Sequence, residues 1–269
     1  ACLRALYNST SYVTKATSRN RLGIAGYLEQ YANFADLQTF FRQFRTDARG
    51  TNFLVVLVNG GENDQSNPGD EVRSSGFQCG YGLMRRGTQA NLDMQYAEGI
   101  SFPTPNTYYS TGGSPPFIAD GNTPENTNEP YLDFLDFLLR QDSIPQTLST
   151  SYGDDEQTVP LDYAQHVCTK FAQLGARGTS VLFSSGDSGV GDSLCLSNDG
   201  SYEVQFIPNF PATCPFVTAV GGTTSVNPEV AASLSSGGFS NYFARPTYQA
   251  TAVSAFLKQL GTQNAGLFK

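Results

Sequence analysis

The sequence predicts an α/β protein in which a mostly parallel sheet carries helices on both faces. Apolar runs of strand length alternate with segments of helical periodicity along most of the chain, an order typical of parallel sheets. The 269 residues can bury a sizeable core and contain no repeat or linker, so a single domain, 1–269, is expected. Aromatic residues make up 12% and charged residues 15% of the chain, a composition that excludes disorder.

The first predicted elements are a strand and an amphipathic helix. Residues 22–28 form an apolar run that indicates a buried strand. Asp36 is the predicted N-cap of the helix that follows, because a short acidic side chain can accept hydrogen bonds from the first turn. The apolar positions of this helix recur at i, i+3, i+4 and i+7: Leu37, Phe40, Phe41 and Phe44.

The next stretch contains one strand, one helix and two long loops. Residues 53–58 are a continuous apolar run, which indicates a parallel strand buried on both faces. Residues 60–80 are rich in Gly, Asn, Asp and Ser and predict a loop, and residues 89–98 predict a helix. Residues 101–130 contain six prolines and many Gly, Asn and Thr residues, and predict a second long surface loop.

The second half of the chain continues the alternation. The predicted elements are a helix at 131–140, a strand at 146–151, a helix at 161–174 stopped by Gly175, and strands at 179–184 and 216–220. The only histidine, His166, lies in the second of these helices among apolar neighbours. A Ser-His-Asp triad would have to use it, and we interpret it instead as an ordinary helix residue.

Charge and hydropathy exclude two classes of partner. The formal net charge is −8 and the longest basic run is Arg85-Arg86, so a nucleic-acid partner is not expected. No apolar run approaches the ~18 residues that a membrane-spanning helix needs, so no membrane partner is expected either. A sequence pI near 4.6 suits a protein that works in acid.

The five cysteines are scattered, and no pair has the spacing of a zinc site. Together with the sequon at Asn8, they indicate a secreted or lysosome-like compartment and a glycoprotein. We predict the disulfides Cys195–Cys214 and Cys2–Cys79, which leaves Cys168 as a buried odd thiol.

Three polar clusters are candidates for chemistry. Gln89 and Asp93 are four residues apart and share a helix face. The segment Ser151-Tyr152-Gly153, followed by three carboxylates, could present a strand edge to an extended peptide. Asp187 follows an apolar strand between glycines, at the carboxyl end where open α/β sheets place their sites. Taken singly, the first two clusters are more typical of a polar helix stripe and a solvated turn.

The order of these clusters along the chain indicates a protein family. Six segments run through the chain in register with the sedolisin family of serine-carboxyl peptidases, which includes tripeptidyl peptidases, and the chain most resembles the fungal members. The matching segments are 26–33, 90–96, 151–156, 184–189, 210–223 and 236–241. The resemblance covers nearly the whole chain and implies a subtilisin-like fold, in agreement with the alternation of strands and helices.

The resemblance also implies a mechanism and its residues. In this family a Glu–Asp pair activates a serine nucleophile, and a further protonated Asp donates to the oxyanion, chemistry that operates in acid. Asp93 matches the second carboxylate and Asp187 the oxyanion acid, so Asp187 is expected to point toward Asp93. Ser151, Tyr152 and Gly153 match the segment that pairs with substrate backbone. Gln89 stands where the family has its catalytic Glu, and an amide cannot take the proton of the nucleophile.

The family's nucleophile lies in a Gly-Thr-Ser-Ala-Ser motif, and the chain ends at Lys269 before any such motif. The family's calcium site lies further on, so no cofactor or metal is expected in this chain. We therefore predict a tripeptidyl-peptidase-like domain that is inactive as this chain alone, with a peptide or protein substrate and a C-terminal fragment of the same precursor as partners. The alternative is a non-catalytic relative that keeps the peptide cleft, or that has a lectin-like, carbohydrate-binding role through the loops at 101–130.

Overall fold

The computed structural model describes residues 2–66, 88–191 and 194–268 of the chain. The α-helices are α1 (Cys2–Leu6), α2 (Phe34–Phe44), α3 (Thr88–Ser101), α4 (Tyr131–Leu139), α5 (Leu161–Ala176) and α6 (Ala250–Leu260). The strands are β1 (Leu22–Gly26), β2 (Leu54–Val58), β3 (Asn106–Thr111), β4 (Thr147–Thr150), β5 (Asp154–Asp155), β6 (Ser180–Ser184), β7 (Asn209–Phe210), β8 (Thr218–Val220), β9 (Thr223–Thr224) and β10 (Val230–Ala231).

Six strands form one parallel sheet in the order β2-β3-β1-β4-β6-β8. Two short antiparallel pairs, β5 with β7 and β9 with β10, lie outside it. Because every strand of the large sheet runs in the same direction, the segments that follow the strands emerge at one edge. That edge carries the candidate site.

Helices cover both faces of the sheet, as the sequence predicts. Along β1, Ile24 packs into a core with α2 and α3, whereas the next residue, Ala25, packs into a second core with α4 and α5. Tyr108 and Tyr109 of β3 divide between the two cores in the same way. This alternation follows from the two-residue period of a strand.

Helix α2 begins earlier than predicted. Asn33, not Asp36, is its N-cap, and the Asn33 Oδ1 accepts hydrogen bonds from the backbone N–H groups of Ala35 and Asp36. Asp36 lies in the first turn, where it is buried and its Oδ2 accepts from Asn91 Nδ2 over 3.0 Å. The Asn91 Oδ1 in turn accepts from the Asn33 backbone N–H over 2.6 Å, so this network ties α3 to the start of α2.

Strand β3 lies inside the stretch predicted to be a loop. All six of its residues are buried, and it sits between β1 and β2 in the middle of one half of the sheet. The prediction is wrong here because the sequence Asn-Thr-Tyr-Tyr-Ser-Thr contains no aliphatic residue. Threonine and tyrosine nevertheless favour strands, and this propensity was the available signal.

Two further boundaries differ from the predictions. Strand β2 is parallel but forms an edge of the sheet, and its Leu54 is 67% exposed among the described residues, so burial on both faces is wrong. Helix α5 passes through Gly175 and continues to Ala176. The chain turns at Gly178, whose φ of +90° lies in the left-handed region that glycine tolerates. The predicted loop at 60–80 lies mostly outside the described residues.

A disulfide links Cys168 to Cys214, with 5.6 Å between their Cα atoms. The predicted Cys195–Cys214 pair is therefore wrong, and Cys168 is not an odd thiol. The inner face of α5 packs into the core beside the segment after β7, and this packing brings the two buried cysteines together. Cys2 is exposed in α1, and its predicted partner Cys79 lies outside the described residues.

His166 is exposed on α5, whose buried side chains face the core, in agreement with its interpretation as an ordinary helix residue. Asn8 is exposed just after α1, so its side chain is accessible. Across residues 2–66, 88–191 and 194–268, no helix has the length and apolar character needed to cross a membrane.

Candidate active site

A cleft of about 270 Å³ opens at the carboxyl edge of the parallel sheet. Its walls come from the segments after β1, β4 and β6, from the start of α3, and from the segment before α4. The predicted site residues among its lining are Gln89, Ser151, Tyr152, Gly153 and Asp187. The tertiary structure therefore brings together segments that are nearly one hundred residues apart in the sequence.

Asp93 joins this group through Gln89. The Gln89 Nε2 donates a hydrogen bond to Asp93 Oδ1 over 2.9 Å, as the i, i+4 spacing on α3 predicts. The other carboxyl oxygen of Asp93, Oδ2, is buried, and the Ser151 side chain also hydrogen-bonds to this carboxyl group. Ala90 and Met94, on the neighbouring face of α3, are fully buried in the core and fix the orientation of the helix.

The environment of Asp93 favours its protonated form. Burial raises the pKa of this carboxyl from 3.8 to about 7, while the nearby Ser151 and Gln89 side chains oppose the shift. Burial raises the pKa of Tyr152, and the negative charge of Asp93 raises it further. Asp93 therefore lies against the Ser151–Tyr152 segment as well as against Gln89. A carboxyl group with this pKa can serve as a proton donor in acid.

The segment Ser151–Gly153 continues β4 past the edge of the sheet. Tyr152 is 8% exposed, and its ring packs edge-on against Tyr27 at 5.3 Å between centroids. A Cβ atom at Gly153 would lie 2.7 Å from the backbone carbonyl oxygen of Phe210, so only glycine permits this approach of β7. The segment is thus held between the core and β7 while it lines the cleft.

Asp187 lies in the loop that follows the interior strand β6, and its side chain is exposed. Gly186 has a φ of +96°, which turns the chain sharply just before Asp187. Ser236 holds the loop, because its backbone N–H donates to Gly186 O and its Oγ accepts from the Ser188 N–H, each over 3.1 Å. Asp187 shares the cleft with Gln89, and its orientation toward Asp93 stays a prediction.

Glu156 anchors the segment that supplies Ser236. Its buried carboxylate accepts hydrogen bonds from Ser240 Oγ and the Asn241 N–H, each over 2.6 Å, and from the Tyr242 N–H over 3.2 Å. Two of the sequence segments that match the family, 151–156 and 236–241, are therefore joined directly. The carboxylate at 156 is structural here.

Glu129, which no sequence motif marks as a site residue, also lines the cleft and is 3% exposed. The available signal was a charged residue directly before Pro130 and the apolar helix α4, where a buried carboxylate is unusual. Asp154, from the acidic cluster after Gly153, lines the cleft beside it. Within the described parts of the chain, no group of three or more His, Cys, Asp or Glu side chains is arranged to hold a metal ion.

Comparison with known proteins identifies the family. No family model matches the chain. Tripeptidyl-peptidase SED2 of Arthroderma otae is 48% identical over 273 aligned residues, which cover 100% of this chain and 43% of that protein. The chain belongs to the sedolisin family. Tripeptidyl-peptidase sed4 of Aspergillus fumigatus is 46% identical over 261 residues, covering 95% of this chain and 41% of that protein.

This sedolisin-family chain therefore spans less than half the length of the curated relatives it matches. Among solved structures, a Pseudomonas sedolisin, a serine-carboxyl proteinase complexed with pseudo-iodotyrostatin, aligns with a TM-score of 0.58 at 21% identity. The alignment covers 93% of this chain and 64% of that one. It confirms the predicted subtilisin-like fold.

Proposed function

We propose that the cleft binds an extended peptide, and that the chain is the part of a tripeptidyl-peptidase-like protein that carries the Asp93 and Asp187 carboxyl groups. The observation that supports this most directly is the convergence of Gln89, Asp187 and the Ser151–Gly153 segment on one cleft. Peptide backbone would lie along Ser151–Gly153 as an added strand. Asp187, in its protonated form, would donate to developing negative charge on the scissile carbonyl.

Gln89 cannot act as the general base of a peptidase in this chain. Its Nε2 donates to Asp93, so the pair contains a donor where proton abstraction needs an acceptor. The 269 residues also contain no Gly-Thr-Ser-Ala-Ser sequence. We therefore propose that these residues alone bind peptide without hydrolysing it, and that hydrolysis by a longer protein would need a nucleophile from outside them.

The proposed function also indicates the pH and the compartment in which the protein works. A carboxyl site works best in acid, where the buried Asp93 carboxyl can hold its proton. We propose a secreted protein or one in an acidic vacuole-like compartment, glycosylated at the exposed Asn8.

The test is calorimetric titration of the chain with short N-acetylated peptide amides. Ser188 is exposed at the rim of the cleft, so Ser188→Trp should obstruct peptide entry and weaken binding about 10-fold or more. Ser143→Trp is the matched control, because Ser143 is exposed outside the cleft lining. Parallel incubations at acid pH, followed by mass spectrometry, should show intact peptide.

Equal peptide affinity in the two tryptophan variants, or absence of binding, would refute a peptide cleft. Binding of an oligosaccharide in place of peptide would favour the lectin-like alternative. Cleavage of the peptides by the purified chain would refute the proposed lack of activity.

A further inference from the structure

Leu28 is an exposed apolar side chain in the cleft, two residues after the end of β1. It also lines an adjoining groove of about 460 Å³, which the segments after β2 and β3 complete. Among the described lining residues of the cleft, Tyr152 and Ile207 are 8% and 3% exposed, whereas Leu28 is 43% exposed. Leu28 therefore presents accessible apolar surface in a cleft whose other side chains are mostly polar.

The backbone at Leu28 is strained. Leu28 and Glu29 have φ values of +55° and +57°, in the left-handed region where the side chain of leucine is crowded against the backbone. The chain is fixed around this turn, because Tyr27 and Gln30 are buried and the Gln30 N–H donates to Tyr27 O over 3.0 Å. The Tyr108 hydroxyl donates to Gln30 O over 2.7 Å and ties the turn to β3. The surrounding structure thus imposes the left-handed conformation on Leu28.

Folding alone does not account for a leucine at this position. Nearly half of the Leu28 side chain stays in contact with water, so its burial within the chain is incomplete. Glycine or asparagine would adopt the same backbone conformation with less strain. A strained and exposed apolar side chain in a cleft points to a contact that is completed by a bound ligand.

The parallel sheet places Leu28 near the segment along which we place the peptide. Strands β1 and β4 are hydrogen-bonded neighbours, so the segments that follow them leave the sheet side by side. The ring of Tyr27 packs against the ring of Tyr152 at 5.3 Å between centroids. A peptide that pairs with Ser151–Gly153 therefore passes Leu28, and because strand side chains alternate, only every second one faces it.

We propose that Leu28 is a specificity-determining residue that selects an apolar side chain at one position of the bound peptide. The inference rests on the proposed peptide cleft. Pairing of peptide backbone along Ser151–Gly153 does not distinguish one side chain from another. An apolar side chain against Leu28 removes apolar surface of both partners from water, whereas a polar side chain there loses hydration and gains no hydrogen bond from leucine.

The experiment is calorimetric titration of the 269-residue chain with matched peptides. N-acetylated tripeptide amides carry leucine at each position in turn, with alanine at the other two. Each is compared with its asparagine counterpart, whose side chain has nearly the same shape. The leucine member of one pair should bind about 5- to 20-fold more tightly, the range expected for partial burial of a leucine side chain.

Two variants assign the preference to Leu28. Leu28→Asn keeps the shape and tolerates the left-handed backbone but removes the apolar surface, so it should lose most of the preference for leucine. Leu28→Met stays apolar and should retain most of it. A purely structural role would instead weaken the binding of leucine and asparagine peptides equally and leave their ratio unchanged.

Tyr202→Asn is the matched control and should keep the preference. Tyr202 has a φ of +52°, is 70% exposed and does not belong to the cleft lining, so the substitution makes the same change of backbone strain elsewhere. Thermal unfolding of each variant verifies that it is folded. The comparison of peptides on the unmodified chain needs no variant.

A preference for leucine at one position that Leu28→Asn abolishes and Leu28→Met retains supports the assignment. If the peptides bind but leucine and asparagine are equivalent at every position, or if Leu28→Asn keeps the preference, the role of Leu28 is refuted while the peptide cleft stands. If no peptide binds in any form, the proposed function fails and the role of Leu28 fails with it.

Discussion

Replacement of Asp93 by asparagine tests the electrostatics of the site without any need for activity. In the folded protein the Asp93 carboxyl is buried against α3 and the Ser151–Tyr152 segment, and burial raises its pKa to about 7. In the unfolded chain the same group titrates near its ordinary value. Folding is therefore coupled to proton uptake by Asp93 between these two pKa values.

The direction in which the free energy of unfolding changes with pH follows from the raised pKa of Asp93. Below about pH 4 the group is protonated in both states, and its protonated form is fully compatible with burial. As the pH rises from about 4 to about 7, the unfolded chain has released the proton while the folded protein still holds it, so the free energy of unfolding falls. The interval between 3.8 and about 7, at about 1.4 kcal/mol per pKa unit, corresponds to a loss of about 4 kcal/mol.

Asp93→Asn keeps the shape and the acceptor for Gln89 Nε2 but removes the titration. We expect the variant to match the parent protein near pH 4 and to exceed its stability by up to about 4 kcal/mol at neutral pH. Urea unfolding at a series of pH values measures this difference. Asp142→Asn, at an exposed position, is the control for loss of a charge alone. A stability difference between Asp93→Asn and the parent that stays constant across this pH range would refute the reasoning.

Three further outcomes are expected. Gln89→Glu would place a second carboxylate about 2.9 Å from Asp93 Oδ1, where like charges repel by about 6 kcal/mol at an effective dielectric constant near 20. The pair should retain a proton, and carbon NMR titration should show an apparent pKa above that of Asp93 in the parent; an unchanged titration would contradict this. Cys168→Ala opens the disulfide to Cys214, whose sequence separation is 46, and should cost about 2–4 kcal/mol in denaturant unfolding, with equal midpoints counting against it. Asn33→Ala removes the cap of α2 and should cost about 1 kcal/mol in thermal unfolding, whereas Asn33→Ser, which keeps a capping oxygen, should lose less.

The sequence by itself determined the fold class and most of the elements. Apolar periodicity marked the helices that became α2, α4 and α5, and apolar runs marked β1, β2 and β6, because burial against a sheet imposes these patterns on the residues. The i, i+4 spacing of Gln89 and Asp93 likewise predicted a contact that the helix alone enforces. Local geometry of this kind can be inferred without knowledge of the rest of the chain.

Only the tertiary structure decided which polar segments are buried and which distant groups meet. Strand β3 was predicted to be a loop because its burial depends on its neighbours β1 and β2 and on its tyrosines, not on aliphatic residues. Cys168 pairs with Cys214 because α5 packs beside the segment after β7, a proximity that cysteine spacing does not encode. Glu129, in the segment before α4, lines the same cleft as the segments after β4 and β6. Contacts between segments far apart in the sequence are set by the packing of the whole core, and local patterns therefore cannot specify them.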